Sequence, residues 1–243
     1  MVGERMGMNV KTKLVGLGTC VTVGALLSSA IGPAHAATDR LPNLTPLAAS
    51  HIVTTQSGST LTMRFAATSW NNGTGPLEIV AGAKDKRAGR QKVYQRVYSD
   101  SGTYRDVLAG SFVYHKSHQH IHFDDFALYT LQPVDAPGAS KRTSAKTTFC
   151  IMDTDHIAAD MAGSPSSARY TACDAQIQGM SVGWGDTYGN HLDGQSFDMT
   201  GLPDGSYNLI IEVDPRRRIL ESSESDNIST LLLLKRGSSV TTG

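Results

Sequence analysis

From Ser59 onward, apolar and polar residues alternate in short runs, and helical spacing is rare. Leu61 to Phe65 alternates, Asn71-Asn72-Gly73-Thr74-Gly75 turns, and Pro76 to Val80 reads as a strand before the charged loop Ala81 to Arg90. Further strands are predicted at 91–98, 111–114, 120–131, 147–152, 206–213 and 229–234. Short strands separated by Gly-rich turns predict an all-β chain, a β-sandwich with long irregular loops and little helix. One short helix is predicted around Ile157 to Met161, stopped by Gly163-Ser164-Pro165. Gln178 to Ser196 carries Gly179, Gly183, Gly185, Gly189 and Gly194 and reads as one long irregular loop, a feature that is often functional in a compact domain.

The N-terminal region departs from this pattern. Arg5, Lys11 and Lys13 precede an apolar stretch from Leu14 to Ile31, followed by Ala34-His35-Ala36. That order is a secretory signal with a small-x-small cleavage site, so residues 1–36 are expected to be removed and 37–243 to form one exported domain. No later stretch is apolar enough to span a bilayer, and no membrane association is expected after cleavage. Lys plus Arg and Asp plus Glu each number 22, a balance that does not suit nucleic acid. Of three cysteines, Cys20 leaves with the signal. Cys150 and Cys173 then form one disulfide in an oxidising compartment, or stay as two buried thiols.

The strongest chemical signal is His118-Gln119-His120-Ile121-His122. On a strand, alternate side chains share a face at about 6.6–6.8 Å spacing, so three imidazoles converge. Such a set suits copper or zinc and leaves a position open for water or substrate. His115 falls on the opposite face if the strand already runs there, as a supporting or surface residue. Asp124 and Asp125 are candidates to orient the imidazoles through their distal nitrogens, or are strand-end carboxylates. Glu221, Asp226 and Asn227 place hard oxygen ligands in one turn, which suits calcium or is simply an acidic hairpin.

In sequence order, these segments resemble the lysyl oxidases. The histidine triplet resembles that family's copper segment. Lys146-Thr-Thr-Phe-Cys-Ile-Met-Asp-Thr154 and Gly179-Met-Ser-Val-Gly-Trp-Gly-Asp-Thr-Tyr188 resemble two further stretches. Gly205-Ser-Tyr207 through Glu221, Asp226 and Asn227 resembles its C-terminal strand and turn, and Leu41-Pro42-Asn43-Leu44 the start of its catalytic domain. The resemblance implies copper on His118, His120 and His122, and a lysine tyrosylquinone made from Lys146 and Tyr188. It also implies oxidative deamination of primary amines, peptidyl lysine or small amines, with O₂, to aldehyde, ammonia and hydrogen peroxide.

Asp186, and after it Asp193, is the candidate base that removes the substrate's α-proton. Calcium is implied at Glu221, Asp226 and Asn227, with Asn43 in place of the family's aspartate. Ser117 stands where the family has a cysteine whose usual partner matches Cys173, and His156 stands where the usual partner of Cys150 would be. The resemblance therefore implies that Cys150 and Cys173 re-pair with each other. Two other functions compete on the residues alone: a zinc site that activates water for hydrolysis, and an immunoglobulin-like binding module centred on Gly205–Asn227. They differ from the oxidase in giving Lys146 and Tyr188 no chemical task.

Overall fold

A computed structural model describes residues 37–85, 89–115, 120–136, 138, 140–173 and 176–243. Residues 1–36, which include the expected signal and Cys20, lie outside the described residues, as do Ser117 and His118. The first strands are β1 (Asp39–Arg40), β2 (Leu44–Pro46), β3 (Ser50–Ser57), β4 (Thr60–Asn71), β5 (Leu77–Asp85) and β6 (Arg90–Ser99). Next come β7 (Tyr104–His115), β8 (His120–Phe123), β9 (Ala127–Pro133), β10 (Arg142–Thr143), β11 (Asp155–His156) and β12 (Ile177–Met180). Then follow β13 (Trp184–Tyr188), β14 (Ser196–Asp198), β15 (Gly205–Val213), β16 (Ile228–Arg236) and β17 (Ser239–Thr242). The all-β class is as expected, and among the described residues every strand pairing is antiparallel, as suits strands joined by short turns.

Three sheets share the work. One runs β12-β5-β6-β7-β8, a second β10-β9-β15-β16-β17, and a third β11-β13-β4-β14 with β2 and β3 also on β4. Their inward residues meet in one core that includes Phe65, Phe112, Phe123, Leu131, Phe149, Leu209 and Leu233. Phe65 meets Tyr129 edge-on at 5.2 Å, Tyr129 meets Phe149 at 5.7 Å, and Phe149 meets Tyr188 at 4.8 Å. Edge-on aromatic pairs at these spacings are favourable beyond their buried area. This ladder carries the rigidity of the core out to Tyr188.

The structure corrects several expectations. Ile157–Met161 is not a helix; Ile157 and Ala158 give their N–H groups to the Gly183 carbonyl, and the segment closes in turns. The predicted strand 120–131 breaks into β8 and β9 at Asp124-Asp125, where Asp125 takes φ +58°. The predicted loop 178–196 holds β12, β13 and the start of β14. Its glycines serve close approach rather than looseness: a Cβ on Gly185 would lie 3.2 Å from the Ser69 carbonyl on β4. The segment 147–152 is extended but makes only one bridge, Phe149 to Phe123. Side chains take the backbone groups a strand neighbour would use, since Gln178 Oε1 accepts from Ile151 N and the Tyr188 hydroxyl occupies Cys150. Gly205–Asn227 is no separate module, because β15 pairs along both edges, with β9 and β16.

Candidate active site

A cleft of about 480 Å³ opens where β8, β13 and two connecting segments meet. It is lined by His120 and His122 from β8, Asp186 and Tyr188 from β13, Lys146, and His191 to Asp193. The β8 register sets the first wall. His120 and His122 share a face, and their Nε2 atoms converge to 2.7 Å. Two ring nitrogens this close must share a proton or an ion, and metal–nitrogen bonds of about 2.0–2.1 Å would require only a small spreading of the pair. His122 is buried, with Nδ1 3.1 Å from Thr148 Oγ1, which fixes the ring.

His115 is a correction. His115 is the last residue of β7, and the antiparallel β7–β8 pairing sets it opposite His120. Its ring stacks on that of His122, with centroids 5.0 Å apart, so it adjoins the cluster from the neighbouring strand. Asp124 and Asp125 pair with arginines instead of imidazoles: Asp124 with Arg90, and Asp125 with Arg216 at 3.6 Å and Arg218 at 3.4 Å. Thr148 does the orienting that they were expected to do.

The second wall holds Lys146 and Tyr188. Lys146 Nζ lies 4.6 Å from the centre of the Tyr188 ring and 5.1 Å from that of Phe149. It donates to the Asp193 carbonyl at 3.0 Å. Burial lowers the Lys146 pKa, against the opposing pull of Asp193 and Asp186, which favours the neutral, nucleophilic amine. The Tyr188 hydroxyl accepts from Cys150 N at 2.8 Å and donates to Cys150 O at 2.8 Å. Burial first, and the charge of Asp186 after it, raise the phenol's pKa and keep it protonated.

Cys150 and Cys173 form a disulfide that lines the same cleft, with Cα atoms 5.3 Å apart. Closing the loop between them contributes about 3 kcal/mol through chain entropy. The bond therefore steadies the very backbone that holds Tyr188.

Asp186 lies two residues from Tyr188 on β13, so both side chains fall on one face. It is 4% exposed, and its Oδ2 has no hydrogen-bond partner. Burial raises its pKa well above that of an ordinary carboxyl, with a smaller opposing effect from a backbone hydrogen bond at Met152. A buried, unsatisfied carboxylate oxygen at a cleft is costly in stability and marks a functional group. Asp193, exposed at the mouth, offers its carbonyl to Lys146.

Some residues escaped the sequence reading: Thr148, His191 and Arg64. Arg64 donates to the carbonyls of Asn190 and Leu192 (2.7 Å for Leu192) and so fixes the loop of the second wall. The one signal for His191 was its position between Gly189 and Gly194.

A second polar cluster lies away from the cleft. Asn43 Nδ2 donates to Asp226 Oδ2 at 2.7 Å, and Asn227 Nδ2 to Glu221 Oε1 at 2.8 Å. The remaining oxygens, Asn43 Oδ1, Asp226 Oδ1 and Asn227 Oδ1, are buried without a partner. Glu221, also close to Asp214 and Glu224, is pushed up to about 8, chiefly by burial and further by those carboxylates. Orphaned hard oxygens gathered around a carboxylate fit a hard cation such as calcium.

This arrangement defines an all-β protein with convergent imidazoles beside a paired lysine and tyrosine. The lysyl oxidase family model matches residues 97–242, and the chain belongs to the lysyl oxidase family. It is 37% identical over 120 residues to protein-lysine 6-oxidase of Gallus gallus, covering 49% of this chain and 26% of that one. It is 36% identical over 121 residues to protein-lysine 6-oxidase of Homo sapiens, covering 49% and 27%. Lysyl oxidase homolog 1 of Homo sapiens is 34% identical over 116 residues, covering 47% and 19%. The match thus spans about a quarter or less of the length of these relatives.

Proposed function

We propose that this is a secreted, copper-dependent amine oxidase that oxidatively deaminates primary amines, peptidyl lysine or small amines, to aldehyde, ammonia and hydrogen peroxide. The observation that carries the proposal is the placement of Lys146 Nζ 4.6 Å from the centre of the Tyr188 ring. That is the pair from which a lysine tyrosylquinone is made, and the amine is held at the ring it would join.

Copper on His118, His120 and His122 would supply the O₂ chemistry that oxidises the Tyr188 ring, and the finished quinone would supply the carbonyl that takes the substrate amine. The chain's own residues do the rest. Cys150 fixes the Tyr188 oxygen from both sides, and Phe149 packs against the ring face-to-edge. The Asp193 carbonyl orients Lys146. Asp186 takes the substrate's α-proton. Asn43, Glu221, Asp226 and Asn227 would hold calcium, which would supply a structural charge between the segment near β2 and the turn before β16. Residues 1–36 direct export.

The test is expression with copper under air. The expected product is coloured, gains one oxygen and loses four hydrogens relative to the unmodified chain, and yields Lys146 and Tyr188 in one linked peptide. A colourless protein of unchanged mass that releases no peroxide from lysine-like amines would move the reading to zinc and water chemistry.

Asp186→Asn is expected to form the quinone normally and to lower kcat by roughly 10²–10⁴-fold, the range for loss of a general base. A base acts in its ionised form, and burial raises this carboxyl, so wild-type activity should rise with pH through the elevated Asp186 titration. A steady-state pH profile of the two proteins checks both statements.

A further inference from the structure

Among the described residues, His191 is the one imidazole of the cleft outside the β7–β8 histidine cluster. It lies on the segment between β13 and β14, and its backbone is fixed on both sides, because Arg64 binds the carbonyls of Asn190 and Leu192. Asn190 Nδ2 adds a bond to the His51 carbonyl at 2.9 Å, and Leu192 N closes on the Gly189 carbonyl at 3.0 Å. The ring lies directly over Gly189. A Cβ there would sit 2.6 Å from His191 Cε1 and 2.8 Å from Nδ1, while Nε2 lies farther out at 3.8 Å. Gly194 does the same for the other nitrogen-bearing side chain: a Cβ there would sit 2.5 Å from Lys146 Cδ. Two glycines of one short segment thus each leave room for one basic group of the cleft.

We propose that His191 accepts the proton of the incoming substrate ammonium. This rests on the amine oxidase reading. A primary alkylamine arrives as R–NH₃⁺, which has no lone pair to offer. Transfer of one proton to Nε2 leaves R–NH₂, with its lone pair free to attack a carbonyl, and an imidazolium that returns the proton to solvent.

The other groups facing the cleft suit this step less well. Asp186 is buried in the cleft wall on β13, which fits it to remove a proton from carbon deeper in the site. The Asp193 carbonyl holds Lys146, and the Asp193 carboxylate acts on that same amine as a charge. Tyr188 is committed to Cys150, and His120 and His122 converge on each other. His191 is exposed at the mouth and can exchange protons with solvent.

The experiment compares copper-loaded wild type with His191→Ala and His191→Gln. Absorbance and intact mass report quinone formation, and two reagents then probe it: an alkyl diamine, which is cationic at neutral pH, and phenylhydrazine, which is neutral. Both variants should form the quinone and bind copper like wild type, and should react with phenylhydrazine at the wild-type rate. Their turnover of the diamine should fall on the order of a hundredfold, and added imidazole should restore it in His191→Ala without accelerating wild type. Equal loss with both reagents, loss of copper or quinone, unchanged diamine turnover, or failure of imidazole rescue would each overturn the role. Wild type that forms no quinone would instead remove the oxidase reading itself, and this proton transfer with it.

Discussion

Gly194→Ala is expected to cut quinone formation on the order of a hundredfold while leaving the histidine cluster intact. Gly194 sits at φ +81°, and the new Cβ would press into Lys146 Cδ, whose stem crosses the glycine on its way to the Tyr188 ring. The clash is with the stem, so the amine at its end must move. A misplacement of about 1 Å in a reacting group costs around 10²-fold. Backbone strain alone would lower stability by roughly 1–3 kcal/mol, which must be separated from the steric effect. Gly201 supplies the control: it has φ +69° and nothing within 4 Å of a built Cβ. Gly201→Ala should show the loss of melting temperature without the loss of colour. If both variants keep full absorbance after copper loading, the Lys146 placement is not what limits the cross-link.

The second large effect concerns pH and calcium. Burial disfavours the charge of Glu221 and pushes its carboxyl up to about 8 from an ordinary 4.5. A raised pKa means that the folded state holds this proton more tightly than the unfolded chain does. The associated stability is therefore fully present below about pH 4.5 and is lost as pH rises through about 8. Its size is on the order of 4 kcal/mol, from about 1.4 kcal/mol per pKa unit with some allowance for residual exposure. A divalent cation replaces the proton and meets the orphaned oxygens of Asn43, Asp226 and Asn227. Calcium should consequently raise the melting temperature strongly at pH 8 and little at pH 5. Glu221→Gln should flatten the pH dependence and abolish the calcium effect. Identical melting curves with calcium and with a chelator at pH 8 would remove the cation site.

Several features were legible without coordinates because they depend on local periodicity. Alternation of period two marked β4 and β15, and the same period put His120 and His122 on one face of β8. The relation of Asp186 to Tyr188 is also a matter of two residues on one strand. Cys150 and Cys173 read either as one disulfide or as two buried thiols, and the structure joins them. Glycine misled in one place. Gly179, Gly183 and Gly185 read as part of one irregular loop, whereas the sheets need them where backbone and side chains pack too closely for a Cβ.

What the sequence by itself determined is the all-β class, the spacing of His120 and His122 on one strand, and which lysine, tyrosine and carboxylate residues are candidates for the chemistry. These are set within a few residues, where covalent geometry fixes which way side chains point. Tertiary structure alone decided that Lys146 lies over Tyr188, 42 residues away in sequence by their numbers. It also decided that Cys150 lends its backbone to a phenol, and that His115 and His191 adjoin the site from other elements. Those relations arise from packing three sheets on one core, and nothing in the local pattern of either partner encodes the distance between them.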